Sequence, residues 1–141
     1  MQLSKKADYA LRAATILASL PQDKSMQTQE LAAEGGIPIR FLEQILSLLK
    51  RGGFLISKRG VGGGYRLAKE ARFISVGEII EQVDGELCML LEAGNHPQGF
   101  PGATGLVHHL SKGQDLINDY LHQLTLEQLL ESENADVGYG I

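Results

Sequence analysis

Between residues 59 and 65 the chain reads Arg-Gly-Val-Gly-Gly-Gly-Tyr, four glycines in five positions, with a short apolar run on either side. A helix cannot run through this stretch, because each glycine costs it about 1 kcal/mol relative to alanine. The flanking runs, Phe54-Leu55-Ile56-Ser57-Lys58 and Tyr65-Arg66-Leu67, have strand composition. The segment therefore reads as a β-hairpin whose glycine tip turns tightly and can approach another surface closely. A nucleotide-binding loop is excluded by pattern. A phosphate loop needs a lysine and a hydroxyl residue after its last glycine, and a dinucleotide loop opens a helix. Here Tyr65 follows and a strand resumes.

The residues before the hairpin carry helical periodicity. Residues 4–20 predict a helix with Ser4 as N-cap and Ala7, Ala10, Leu11, Ala14, Leu17 and Ala18 inward. Thr28 is read as the cap of a short second helix, 29–34, closed by Gly35-Gly36. Pro38 is read as the first residue of a third helix, which runs to about Arg51. Phe41, Leu42, Ile45, Leu48 and Leu49 form its predicted core face. Arg40, Glu43, Gln44, Ser47, Lys50 and Arg51 form a polar stripe. Two short helices joined by a glycine-containing turn, the second polar on its outer face, form a helix-turn-helix pattern. The hairpin then stands where a wing would.

After the hairpin, Ser75-Val76-Gly77-Glu78 has the form of a capping box and starts a helix over 76–85. A loop rich in Gly and Pro follows at 92–105, then a helix of about twenty residues, 106–124. Thr125-Leu126-Glu127-Gln128 is a second capping box, opening a helix over 126–131. The fold class read from this order is mostly α with a small β-hairpin wing: a winged helix-turn-helix plus a long C-terminal dimerisation helix. The expected division is 1–72 for the winged helix-turn-helix, 73–131 for the helix, effector loop and dimerisation helix, and 132–141 for a mobile tail.

Charge separates along the same boundary. Residues 1–72 hold 12 of the 13 Lys+Arg and 6 of the 17 Asp+Glu, a net +6; residues 73–141 hold one base and 11 acids, a net −10. A basic half joined to an acidic one implies that only the first half meets a polyanion. One cysteine, Cys88, allows no intrachain disulfide and fits a reducing compartment. There is no apolar run of spanning length and no signal-peptide pattern at the N-terminus, so a cytoplasmic protein without a membrane partner is expected. No paired carboxylates or nucleophile–base signature points to an enzyme.

The candidate DNA-contacting residues follow from groove chemistry. Arg40 can donate to guanine or phosphate, Gln44 can pair with adenine, and Glu43 can accept from cytosine N4. The alternative for Glu43 is an internal ion pair with Lys50 or Arg40. Ser47, Lys50, Arg51 and Lys58 suit phosphates, which position a protein without specifying sequence. Arg59, on a slim glycine hairpin, suits the narrow, negative minor groove. Gly60, Gly62, Gly63 and Tyr65 of the hairpin complete the candidate set.

Phe41-Leu42-Glu43-Gln44-Ile45, Leu48-Leu49-Lys50-Arg51-Gly52-Gly53-Phe54-Leu55 and Arg59-Gly60-Val61-Gly62-Gly63-Gly64-Tyr65-Arg66-Leu67-Ala68 together resemble the Rrf2 family of winged helix-turn-helix transcriptional regulators. Asp8-Tyr9-Ala10-Leu11-Arg12, Ser75 through Ile80 and Leu124 through Leu129 resemble it too, so the likeness spans about residues 3–130. The resemblance implies a homodimeric regulator, here a repressor, joined through the helix at 106–124 and bound to a palindromic operator. It also implies that Glu43 reads a base and Arg59 enters the minor groove. Cluster-binding members carry three cysteines in the loop before the dimer helix. Here that loop, about 88–105, has Cys88 alone, with Gln98 and Thr104 about where cysteines would stand. One thiolate is too few for a conventional cysteine-ligated iron–sulfur cluster, so no cofactor or metal is expected. An unconventional cluster shared across a dimer, using Cys88, a histidine and Asp8, is the alternative. Asp8 otherwise reads as a first-turn helix acid, and Cys88 as a small buried apolar residue. The histidines His96, His108, His109 and His122 lack the spacing of a metal site. Without a cluster, the signal is a partner protein, a small ligand or the redox state of Cys88. A protein-interaction module that has lost DNA binding is the reading from another class.

Overall fold

The computed structural model describes residues 3–85 and 99–134. Helix α1 (Lys5–Ala18) is capped by Ser4, whose Oγ accepts from the Ala7 amide. Ala7, Ala10, Ala13 and Ala14 are fully buried. Such small side chains let α1 sit at the centre of the fold, where four later helices and the second hairpin strand pack on it. Helix α2 (Thr28–Gly35) begins at Thr28 itself, not after it. Its cap position is Gln27, which makes no side-chain cap bond. The Gln27 side-chain amide nitrogen instead donates to the Gly63 carbonyl 3.1 Å away.

Helix α3 (Ile39–Arg51) follows Pro38, which stands at the cap. Its buried residues are Leu42, Ile45, Leu46 and Leu49. The core face thus contains Leu46, which the sequence reading left out, while Phe41 is turned to the surface. Strands β1 (Leu55–Lys58) and β2 (Gly64–Leu67) form an antiparallel hairpin in the register Leu55–Leu67, Ile56–Arg66, Ser57–Tyr65 and Lys58–Gly64. A third, one-residue strand completes the wing: Met26 and Tyr65 exchange both backbone hydrogen bonds, at 2.9 and 2.8 Å. The fold confirms the mostly helical winged architecture expected from the sequence.

A single turn of 3-10 helix (Ala71–Phe73) leads to α4 (Val76–Asp84). The Oγ of Ser75 accepts from the Glu78 amide at 3.1 Å, as expected of its capping box. Helix α5 (Ala103–Gln123) starts three residues earlier than the sequence pattern implied, after Gly102. Helix α6 (Leu126–Asn134) runs three residues past its predicted end, into the segment expected as a tail. At its start Thr125 and Gln128 form a reciprocal capping box, at 2.9 and 3.2 Å. The two capped ends lie side by side: Val76 N–H donates to Leu124 O, and Leu126 N–H to Ile74 O. This pairing delivers Leu126 into the cluster that holds Leu17, Leu31, Leu42, Ile45, Leu49, Ile74 and Ile79. The core therefore runs across the charge boundary at residue 72. Helix α5, in contrast, has no buried residue and packs chiefly on α4. No helix among the described residues is long and apolar enough to cross a membrane.

Candidate nucleic-acid interface

The polar stripe of α3 faces outward along its length. Arg40, Glu43, Gln44, Ser47, Lys50 and Arg51 are all exposed. Two of them are oriented by neighbours. The Arg40 guanidinium lies 5.3 Å from the Phe41 ring centre, and Phe41 leans on Tyr9 at 6.3 Å. Lys50 Nζ donates to Ser57 Oγ at 2.7 Å, tying the end of the helix to the hairpin. Glu43 forms no ion pair with Lys50, Arg40 or any other described residue. The internal pairing considered for it from sequence does not form, and its carboxylate stays free in an otherwise basic stripe.

The hairpin carries Lys58 and Arg59 at the exposed end of β1. Neither has a carboxylate partner among the described residues, whereas Arg66 on β2 is paired with Asp23 at 3.3 Å. The free cations thus concentrate toward the tip. Gly60 and Gly62 are exposed there, beside a fully exposed Val61. Gly63 is buried: its amide donates to Gly60 O at 2.9 Å and its carbonyl accepts from Gln27. Both its backbone groups are thus used, one within the turn and one by the segment that leads into α2. Gly64 adopts φ +125°, and a side chain there would run into the Met26 carbonyl. Only glycine lets the three strands close. Tyr65 is half-buried against the core and fastens β2 to it just below the tip.

Beside α3 lies a feature that the sequence reading missed. Lys6 of α1 lines one open depression together with Glu43, Gln44, Ser47, Leu48 and Arg51. The available signal was the pair Lys5-Lys6 in the first turn of a helix, where the helix dipole disfavours cations.

Asp8 has a structural partner. Arg12 grips it in a two-point ion pair, at 2.7 and 3.2 Å, and also donates to the Gly35 carbonyl at the end of α2. His122 of α5 lies against α4, so close to Gly77 that a side chain at 77 would strike the imidazole. Its Nδ1 lies 2.8 Å from the Asn118 carbonyl and its Nε2 3.0 Å from Glu81 Oε1. Both ring nitrogens therefore face acceptors, which favours the doubly protonated ring. Accordingly the His122 pKa is raised, first by the Asn118 carbonyl and further by Glu81 and Glu78, against the opposing pull of burial. Among the described residues no group of three His, Cys, Asp or Glu side chains could hold a metal ion. Cys88, His96 and Gln98 lie outside the described residues.

Comparison with known proteins agrees with this geometry. Residues 3–132 match the family model "Rrf2: Iron-dependent Transcriptional regulator". The chain is 35% identical to the HTH-type transcriptional regulator IscR of Pectobacterium atrosepticum over 140 residues, covering 96% of this chain and 82% of that one. Against IscR of Pectobacterium carotovorum it is 33% identical over 140 residues, with the same coverage. Among solved structures, CymR, the global cysteine regulator of B. subtilis, superposes with a TM-score of 0.78 at 27% identity, covering 94% of this chain and 98% of that one. T. potens IscR superposes at 0.77 with 28% identity, covering 99% and 94%. A winged hairpin beside an exposed polar helix, a sequence match over nearly the whole chain and a shared fold lead to one assignment: the chain belongs to the Rrf2 family of DNA-binding transcriptional regulators.

Proposed function

We propose that this regulator acts as a homodimer on a palindromic operator, with α3 in the major groove and the hairpin tip in the adjoining minor groove. One observation carries the reading: an exposed polar stripe on α3 continues into a hairpin whose tip cations have no carboxylate partner among the described residues. Within it, Arg40, Glu43 and Gln44 read base edges and Arg59 enters the minor groove. Ser47, Lys50, Arg51 and Lys58 hold phosphates. The exposed Gly60 and Gly62 let the backbone come close to the duplex. Gly63 and Tyr65 serve by shaping the hairpin and fastening it to the rest of the fold.

Dimerisation through α5 is supported by that helix's lack of any buried residue. Leu116 and Tyr120, one turn apart, are each 65% exposed, and Leu106 is 41% exposed. An apolar stripe of this kind on a 21-residue helix calls for a partner surface.

The donor set does not fit a conventional iron–sulfur cluster. The chain has one cysteine, and the Asp8 carboxylate is held by Arg12. We therefore place this chain among regulators that work without such a cluster, answering instead to a partner protein or small ligand. The test is in-vitro selection from a random duplex pool with the purified protein, its visible spectrum recorded alongside. Enrichment of a palindrome by a colourless protein is the expected result. A cluster absorption band would overturn the cofactor reading, and selection without two-fold symmetry the homodimeric one.

A further inference from the structure

The depression shared by Lys6 and the recognition stripe has no assigned use. Its members come from two elements. Glu43, Gln44, Ser47, Leu48 and Arg51 lie on α3, and Lys6 projects from the first turn of α1. Around the α3 axis, Lys50 marks one edge of the exposed stripe, and its bond to Ser57 places the hairpin on that side. Gln44, Arg51 and Leu48 mark the other edge and line the depression with Lys6, and α1 flanks α3 on that side, where Tyr9 meets Phe41. The recognition helix is thus flanked by hairpin cations on one side and by Lys6 on the other.

Lys6 is exposed and has no carboxylate partner among the described residues. The acids nearest it along the chain and at the end of α4 are engaged: Asp8 by Arg12, and Asp84 by Ser4 Oγ at 2.5 Å. The Leu48 carbonyl in the depression already accepts from Gln82. A lysine in the first turn also works against its own helix dipole. The one carboxylate in the depression, Glu43, forms no ion pair with Lys6, so among the described residues no salt bridge holds the Lys6 ammonium in place. The position itself is firm, because Ser4 caps α1 and donates to α4 at the same time.

A helix lying in the major groove has a sugar–phosphate wall on each side. The hairpin reaches over one wall, and a long flexible ammonium at the opposite edge of the helix suits the other. Resting on the DNA-binding reading above, we propose that Lys6 is a phosphate contact on the strand facing away from the hairpin, so that α3 is clamped from both sides. The contact positions the helix and carries no sequence information.

The experiment compares wild type, Lys6→Gln and Lys5→Gln. Each is titrated on the duplex enriched by selection and on a scrambled duplex of equal length, over a range of salt concentrations. For Lys6→Gln the slope of log Kd against log salt should shrink by about 0.9 for each Lys6 engaged, or about 1.8 for a two-fold dimer. Affinity should fall by the same factor on both duplexes, with the unfolding midpoint unchanged. Lys5→Gln should leave the slope near wild type, because Lys5 does not line the depression. An unchanged slope in Lys6→Gln, with wild type binding normally, would overturn the contact alone. An equal loss of slope in Lys5→Gln would reduce it to general charge. Wild type that binds neither duplex would overturn the DNA-binding reading and the contact with it.

Discussion

At the scale of single residues, Arg59 and His122 make opposite uses of positive charge. Arg59 stands at the exposed end of β1 without a carboxylate partner among the described residues, so its charge is available to an external anion. Arg59→Ala should cost about 1–3 kcal/mol of specific binding, read as a rise in Kd of about fivefold to about 150-fold by fluorescence anisotropy. Its stability should stay at the wild-type level. His122 spends its charge inside the fold, between the Asn118 carbonyl and Glu81. Its folded pKa lies above the unfolded value of 6.5, so the stabilisation it gives is complete below 6.5 and is lost as pH rises through the folded value. His122→Gln should therefore be less stable than wild type at pH 6, by about 0.5 kcal/mol for a partly exposed pair. The gap should narrow toward pH 9 in urea titrations; a gap that widens would refute the assignment. Several residue identities could be read from sequence because their chemistry is local, as with the Ser4 and Ser75 caps. Gln27 could not, since its amide serves Gly63, thirty-six residues away.

Among the elements, periodicity located the three helices before the hairpin and left their edges uncertain. The α3 pattern admitted both Phe41 and Leu42 to the core. The structure keeps Leu42, Ile45, Leu46 and Leu49, which centre on one face, and leaves Phe41 against Tyr9. The start of α5 was hidden by its own composition. Thr104 and Gly105 are poor helix formers, and the glycine–proline run before them reads as loop. Helix α5 is also where the strongest prediction about an element lies. Leu116→Glu places a charge at the centre of its exposed apolar stripe while disturbing no buried contact. In a two-fold dimer two leucines are lost together, about 3 kcal/mol or more of burial. Sedimentation should then show the dimer dissociating at more than a hundredfold higher concentration, with the helical content of each chain retained.

For the molecule as a whole, the charge division is plain from residue order, but the single core that bridges it is not. Leu126 reaches the α1–α3 cluster through the pairing of Ser75 with Thr125, fifty residues apart, and no local pattern announces such a contact. The same holds for Met26 and Tyr65. Those two residues exchange both backbone hydrogen bonds, and Gly64 leaves no slack between the strands. The hairpin is thereby fastened to the segment that leads into α2, while Lys50 fastens it to α3. Reading head and wing consequently behave as one stiff tool that cannot be blunted piecemeal. In the paired arrangement proposed above, a signal that switches this regulator on or off has a single adjustable dimension to work on. That dimension is the spacing between two such tools, matched or mismatched to the turn of the double helix.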